Sequence, residues 1–160
     1  INEKTYVALP GLATDVQTLY EKFRFKSNVY KLKEEKDITP KKFAHLVSST
    51  LYEKRFGPYY CEPIIAGLEP DGSPFVCSMD LIGCINFAKD FVVGGTATNQ
   101  LYGMAESLWE PNLEEEDLFE IAAQTLMNAT DRDASSGSGC IVYLIGKNGV
   151  TTRIVRARMD

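Results

Sequence analysis

The sequence predicts an α+β fold in which pairs of helices alternate with groups of antiparallel strands. Apolar residues recur at helical spacing in four segments, which occur as two pairs, and short apolar runs lie before, between and after them. Two tight-turn sequences, Pro70–Ser73 and Lys147–Gly149, join successive runs as hairpins. The predicted order is therefore β-αα-βββ-αα-ββ. Because strands such as Pro63–Leu68 are apolar on both faces, two sheets face to face with helices outside are expected.

Turn and capping residues mark the end of the first strand and the start of the first helix. The apolar run Thr5–Leu9 ends at Pro10, which is typical of a strand that ends there. Thr14 and Gln17 have the spacing of a capping box, so they predict the start of a helix. Its apolar stripe comprises Val16, Leu19, Tyr20 and Phe23.

The second helix is predicted to begin at Pro40, with Thr39 as its cap. Its buried stripe comprises Phe43, Leu46, Val47 and Leu51, and Gly57 with the following proline ends it. Pro63–Leu68 and its hairpin partner then predict two strands, and Phe91–Gly94 predicts a third.

Two more helices and a final hairpin complete the pattern. Pro111 ends the third helix, and Asn112 with Glu115 predicts the cap of the fourth. The strands Cys140–Ile145 and Thr151–Ala157 form the hairpin. The two helical stripes are Leu101, Met104, Ala105 and Leu108, and then Leu118, Ile121, Ala122, Leu126 and Ala129.

Composition limits the classes of function. With 160 residues, 44% of them hydrophobic, the chain fits a single globular domain over residues 1–160. A net charge of −5 without a basic cluster argues against nucleic acid, and no apolar run reaches the roughly 18 residues of a membrane span. Four cysteines without C-x-x-C spacing indicate free thiols in a reducing compartment. The single histidine, His45, lies beside a buried stripe and is expected to be a surface or partly buried residue rather than a general base.

The segment Thr130–Gly139 lies between the fourth helix and the next strand and contains Arg-Asp-Ala-Ser-Ser-Gly. In this setting it resembles the loop that supports the active site of proteasome beta subunits, which have the N-terminal-nucleophile hydrolase fold. Longer strings extend the resemblance along nearly the whole chain and make it most similar to the non-catalytic type-3 subunits. These strings are Gly11–Thr18, Leu51–Tyr60, Met79–Cys84, Tyr102–Pro111 and Arg156–Asp160.

The resemblance implies a four-layer αββα sandwich, here lacking its first strands, in which the missing strands would hold the nucleophile. It implies a non-catalytic structural subunit of the 20S proteasome beta ring, which degrades ubiquitin-tagged and unfolded proteins. The expected partners are the other alpha and beta subunits of a hetero-28-mer of two alpha and two beta rings, with beta-2 and beta-4 as ring neighbours. The implied location is cytoplasm and nucleus. One alternative is a catalytic threonine-protease subunit whose nucleophile precedes Ile1, and a weaker one is a cysteine hydrolase that uses His45.

The resemblance also assigns residues. Thr96, Asp133 and Ser136 match support positions of catalytic members. Thr96 replaces a serine and Ala97 a glycine, which weakens the case for a working site. The three residues are therefore expected to be vestigial support and not catalytic residues, with catalytic support as the alternative. Asp80 and Cys84 match positions that line the substrate pocket of the neighbouring beta-2 subunit, which prefers basic side chains. The alternative for this pair is that Asp80 caps a turn and Cys84 packs in a loop.

No cofactor is required, but Mg²⁺ at a subunit interface is a possibility that the resemblance raises. Carbonyl oxygens of Thr130, Asp133 and Ser136, completed by a C-terminal carboxylate from a partner subunit, would supply hard oxygen ligands, and Asp160 would offer carboxylates to such a site. The alternative is a solvated or salt-bridged terminus. Separately, Phe56, Tyr59 and Tyr60 are candidates for an exposed aromatic patch suited to a subunit contact.

Overall fold

A computed structural model describes residues 1–158 and has its helices and strands in the predicted order. They are β1 (Thr5–Ala8), α1 (Ala13–Glu34), α2 (Pro40–Tyr52), β2 (Ile64–Leu68), β3 (Pro74–Met79), β4 (Ile85–Ala88), α3 (Thr98–Leu108), α4 (Glu115–Thr130), β5 (Cys140–Gly146) and β6 (Gly149–Val155). The chain divides into two compact units, residues 1–92 and 93–160, which are described separately. The single domain over residues 1–160 stays a prediction.

The first unit is a four-stranded antiparallel sheet, in the order β1-β2-β3-β4, with α1 and α2 sharing its apolar core. The predicted hairpin is confirmed, with Ile64 opposite Ser78 in the β2–β3 pair. Phe23 of α1 and Phe43 of α2 are fully buried and meet edge to face, with ring centroids 5.8 Å apart.

The start of α2 is as predicted. Thr39 caps the helix by accepting a hydrogen bond from the Lys42 amide at 3.4 Å, and Pro40 occupies the first turn. The Glu69 carboxylate, from the β2–β3 connection, accepts a second hydrogen bond from the Lys41 amide at 2.9 Å. Two of the amides that a helix start leaves unpaired are therefore satisfied.

The predicted cap of α1 is wrong. The residue before the helix is Leu12, no side chain caps the first turn, and Thr14 lies inside it. A contact distant in sequence decides the start, because the Leu12 amide donates to the Tyr60 carbonyl at 2.8 Å. The Asp15 carboxylate accepts from the Tyr60 amide at 2.9 Å, so the two segments hold each other.

The predicted strand at Phe91–Gly94 is also wrong, because the third strand of this group is β4, which starts at Ile85. Met79 pairs with Ile85 immediately across the tight turn that follows β3. The ladder between β3 and β4 then runs as far as Val76, which lies opposite Ala88. Pro74, at the start of β3, has no amide proton to extend the ladder.

The second unit contains the predicted β5–β6 hairpin, and one face of β5 packs on α4. The predicted cap of α4 is wrong, because the residue before the helix is Glu114 and Asn112 adopts a positive φ of 58° in the preceding loop. The buried face also differs from the predicted stripe. Leu126 and Ala129 pack in the core as predicted. Ala123 and Phe119 replace the rest of the stripe, since Leu118 is 42% exposed and Ala122 is exposed.

All four cysteines are free thiols. Cys61, Cys77 and Cys140 are buried, and burial raises the pKa of Cys77 to about 11. Cys84 is exposed. No helix in the described part of the chain is long and apolar enough to cross a membrane.

Replacing Gly67 by alanine is expected to lower the free energy of unfolding by roughly 1–3 kcal/mol. Gly67 pairs with Thr5, and a Cβ at this position would lie 2.1 Å from the Lys4 carbonyl oxygen and 2.7 Å from Pro40 Cγ. The matched control is Gly57→Ala, because a Cβ there meets nothing within 4 Å. Urea denaturation measures both, and equal stabilities of the two variants would contradict the close approach at Gly67.

Candidate functional site

Thr96, Asp133 and Ser136 form one hydrogen-bonded cluster in the second unit. The Thr96 and Ser136 hydroxyls each donate to Asp133 Oδ2 at 2.5 Å. The Ser135 amide donates to Asp133 Oδ1 at 3.2 Å. The structure therefore brings together the three residues that the resemblance assigned as support positions, although 37 positions separate Thr96 from Asp133.

These donors stabilise the charged form of Asp133. Hydrogen bonds from Ser136, from Thr96 and from the Ser135 amide hold the pKa of the Asp133 carboxyl below its ordinary value. A carboxylate of lowered pKa is a weak base, and both neighbouring hydroxyls donate to it. In the described structure these hydrogen bonds tie Thr96 to the loop that holds Asp133 and Ser136.

The loop that holds Asp133 is fixed at both ends. The Asp133 amide donates to the Thr130 carbonyl at 3.0 Å, and this hydrogen bond continues the last turn of α4. The Gln100 side chain, from α3, donates to the Arg132 carbonyl at 3.0 Å. At the far end, Gly139 has a φ of +117°, and a Cβ there would lie 2.6 Å from the Val155 carbonyl oxygen, so only glycine fits.

The Mg²⁺ site stays a prediction. The Thr130 carbonyl already accepts the Asp133 amide, which leaves one lone pair for a cation. Asp160, the fourth ligand in that prediction, lies outside the described residues. Within residues 1–158 there is no group of three His, Cys, Asp or Glu side chains that could hold a metal ion.

Asp80 and Cys84 lie in the first unit, on the turn between β3 and β4. Asp80 Oδ1 accepts hydrogen bonds from the Ile82 amide at 3.0 Å and from the Cys84 amide at 2.8 Å. Asp80 therefore caps the turn, as the alternative interpretation of this pair has it, whereas Cys84 is exposed and does not pack in the loop. No hydrogen bond from a described residue reaches the second carboxylate oxygen of Asp80, so the exposed turn still offers a carboxylate.

Helix α2 fixes the position of this turn. The Ser48 hydroxyl donates to the Gly83 carbonyl at 2.5 Å. Gly83 has a φ of +87°, and a Cβ there would lie 2.4 Å from the Ser48 carbonyl oxygen. The sequence analysis missed Ser48, and no local pattern signals it, because it acts on a segment 35 positions away.

A surface groove of about 430 Å³ lies between α2 and the turn. Its lining includes Cys84, Ile82, Tyr52 and His45. His45 is exposed as expected, and its ring lies 6.0 Å from that of Phe87. No hydrogen bond joins His45 to Cys84 in the described structure, and no carboxylate orients the imidazole. The described structure therefore does not show the hydrogen-bonded cysteine–histidine pair that is typical of a cysteine hydrolase.

Comparisons with known proteins agree on one family. A family model described as "Proteasome subunit" matches residues 1–145. The "Probable proteasome subunit beta type-3" of Schizosaccharomyces pombe is 61% identical over the whole chain, which spans 78% of that protein. The "Proteasome subunit beta type-3" of Saccharomyces cerevisiae is 58% identical over 97% of the chain and 76% of its own length. The protein of that name from Drosophila melanogaster is 50% identical over the whole chain and 78% of its length.

The family match confirms the predicted α+β class and the N-terminal-nucleophile hydrolase fold. The assignments of Thr96, Asp133 and Ser136 as vestigial support and of Asp80 and Cys84 as a pocket wall stay predictions about function. What the structure adds is their geometry.

Asp133→Asn is expected to destabilise the protein at neutral pH, with a difference from the wild type that shrinks in acid. Because the folded-state pKa of Asp133 is lowered, its contribution is fully present above the unfolded-state value of about 4. It is lost as the pH falls through the lower folded-state value. Urea denaturation at a series of pH values measures the difference.

The matched control is Asp131→Asn, since Asp131 is an exposed carboxylate two positions away whose side chain accepts no described hydrogen bond. A wild-type to Asp133→Asn difference that stayed constant from pH 7 to pH 3 would contradict the assigned hydrogen bonds.

Proposed function

Because this chain belongs to the proteasome subunit family, and within it to the beta type-3 subunits, we propose that it is a non-catalytic structural subunit of the proteasome beta ring. The observation that carries this proposal is the match along the whole chain to proteasome subunits of beta type-3, at 61% identity in Schizosaccharomyces pombe and 50% in Drosophila melanogaster. A structural subunit contributes contact surfaces, so its role would be to hold neighbouring subunits in register.

The proposed partners are the other alpha and beta subunits of a hetero-28-mer, with beta-2 and beta-4 on either side. The support for this is family membership, since the relatives named above are proteasome subunits. The locations that go with it, cytoplasm and nucleus, stay a prediction.

We also propose that Asp80 and Cys84 complete a wall of the neighbouring beta-2 subunit's substrate pocket. The hydrogen bonds to Asp80 Oδ1 and the Ser48–Gly83 contact make the turn rigid, so its carboxylate is held in place before a substrate arrives. A fixed negative charge at a pocket wall attracts basic substrate side chains, and that attraction weakens as salt screens it.

In the assembled particle, Asp80→Asn is expected to lower kcat/KM for substrates with a basic side chain by roughly three- to tenfold, because an exposed ion pair contributes about 1 kcal/mol. Asparagine retains Oδ1 as an acceptor for the two turn amides, so the substitution removes the charge and keeps the turn. Fluorogenic peptides with arginine or with leucine at the cleavage site measure the change.

The matched control is Asp71→Asn, since Asp71 caps the β2–β3 turn in a similar way by accepting from the Ser73 amide at 2.9 Å. The loss at Asp80→Asn should shrink at high salt, and turnover of the leucine substrate should not change. Unchanged turnover of the arginine substrate would refute the pocket role.

A peptide carrying an electrophile that captures N-terminal nucleophiles is expected to label no residue of this subunit in the intact particle. Intact mass and N-terminal sequencing of the native polypeptide provide an independent check, because they show whether its first residue is threonine. A labelled N-terminal threonine would overturn the proposal and establish the alternative, a catalytic threonine-protease subunit.

A further inference from the structure

The most exposed large apolar side chain described is Phe56, at 98% of its full accessibility. It lies four residues after the end of α2, in the segment that the sequence analysis marked as an aromatic patch. The structure divides that patch, because Tyr59 is partly buried against the core of the first unit. Phe56 makes no such contact, so its ring is available to another molecule.

The segment that carries Phe56 is held in a fixed conformation. Successive turns continue from α2, in which the Arg55 amide donates to the Tyr52 carbonyl and the Gly57 amide to the Lys54 carbonyl, both at 3.0 Å. Beyond it, the Tyr60 amide and carbonyl are both bonded to the start of α1. A segment whose backbone is already ordered loses little further backbone freedom when it binds.

Two cationic side chains lie next to Phe56 in the sequence. The Arg55 guanidinium lies over the Phe56 ring, 5.4 Å from its centroid, and Lys54 precedes it. In the described structure neither cation forms an ion pair, although the chain as a whole carries a net charge of −5. Aromatic side chains, phenylalanine among them, and arginine are enriched in protein interfaces relative to the rest of the surface.

We propose that Arg55 and Phe56 form an anchor that inserts into an apolar pocket, rimmed by carboxylates, on a neighbouring protein subunit. The proposal rests on the proposed function in that the partner is another subunit of the same particle. The ring would fill the pocket, and Arg55 and Lys54 would pair with the rim.

The test is incorporation of the subunit into the particle in cells where the tagged variant is the only copy. Phe56→Ala is expected to lower the incorporated fraction, measured on native gels, at least fivefold, and Phe56→Tyr to retain it. Phe25→Ala is the matched control, because Phe25 is 67% exposed on α1 and is not part of the anchor. Arg55→Glu should lower incorporation further than Arg55→Gln.

The outcomes separate the two proposals. If the wild-type subunit is absent from the particle, the proposed function fails. If the wild type is incorporated and Phe56→Ala equals it, the anchor alone fails. A photoreactive benzoylphenylalanine at position 56 should crosslink to a different subunit of the particle. A crosslink to a second copy of this chain, to lipid or to nucleic acid would overturn the anchor.

The thermal midpoint of the free Phe56→Ala subunit should equal that of the wild type, since the ring's described contact is with Arg55. A lowered midpoint would assign any loss of incorporation to misfolding and would refute the anchor.

Discussion

The packing of α2 against the core determines the position of every feature assigned to the first unit. Phe43, Val47 and Leu51 are fully buried along one side of this helix, and Phe43 meets Phe23 of α1 edge to face. Ser48, which holds the β3–β4 turn, lies at the edge of this buried side, and His45, which lines the groove beside the turn, lies on the exposed side. A helix that rotated in its core would move the turn and the groove together, so the hydrophobic contact is also what places the polar ones.

Local chemistry predicted much of the fold. The order of the elements was right, and so was the start of α2, because the Thr39 hydroxyl reaches an amide three positions away. The predictions for the start of α1 and for Phe91–Gly94 failed where distant segments decide. Tyr60 fixes the start of α1 through hydrogen bonds across more than 40 positions, and no pattern around Thr14 records it.

The same distinction between local and distant contacts applies to the candidate sites. Asp133 and Ser136 are three positions apart and lie in one recognisable loop, but Thr96 joins them across 37 positions and was assigned through family resemblance. Family resemblance likewise selected Asp80 and Cys84. It did not indicate that Ser48 of α2 holds their turn in place. Sequence patterns report what a short segment prefers, whereas a site is defined by which segments meet.

The cysteines have a practical consequence. Three thiols are covered by the structure, and burial raises the pKa of each of them, which keeps them protonated and unreactive. Cys84 alone among the described cysteines meets solvent, on a turn whose geometry is fixed. The protein therefore carries a natural single-site attachment point for a fluorophore or a spin label. A dye there would respond to whatever approaches the β3–β4 turn, without any engineered residue.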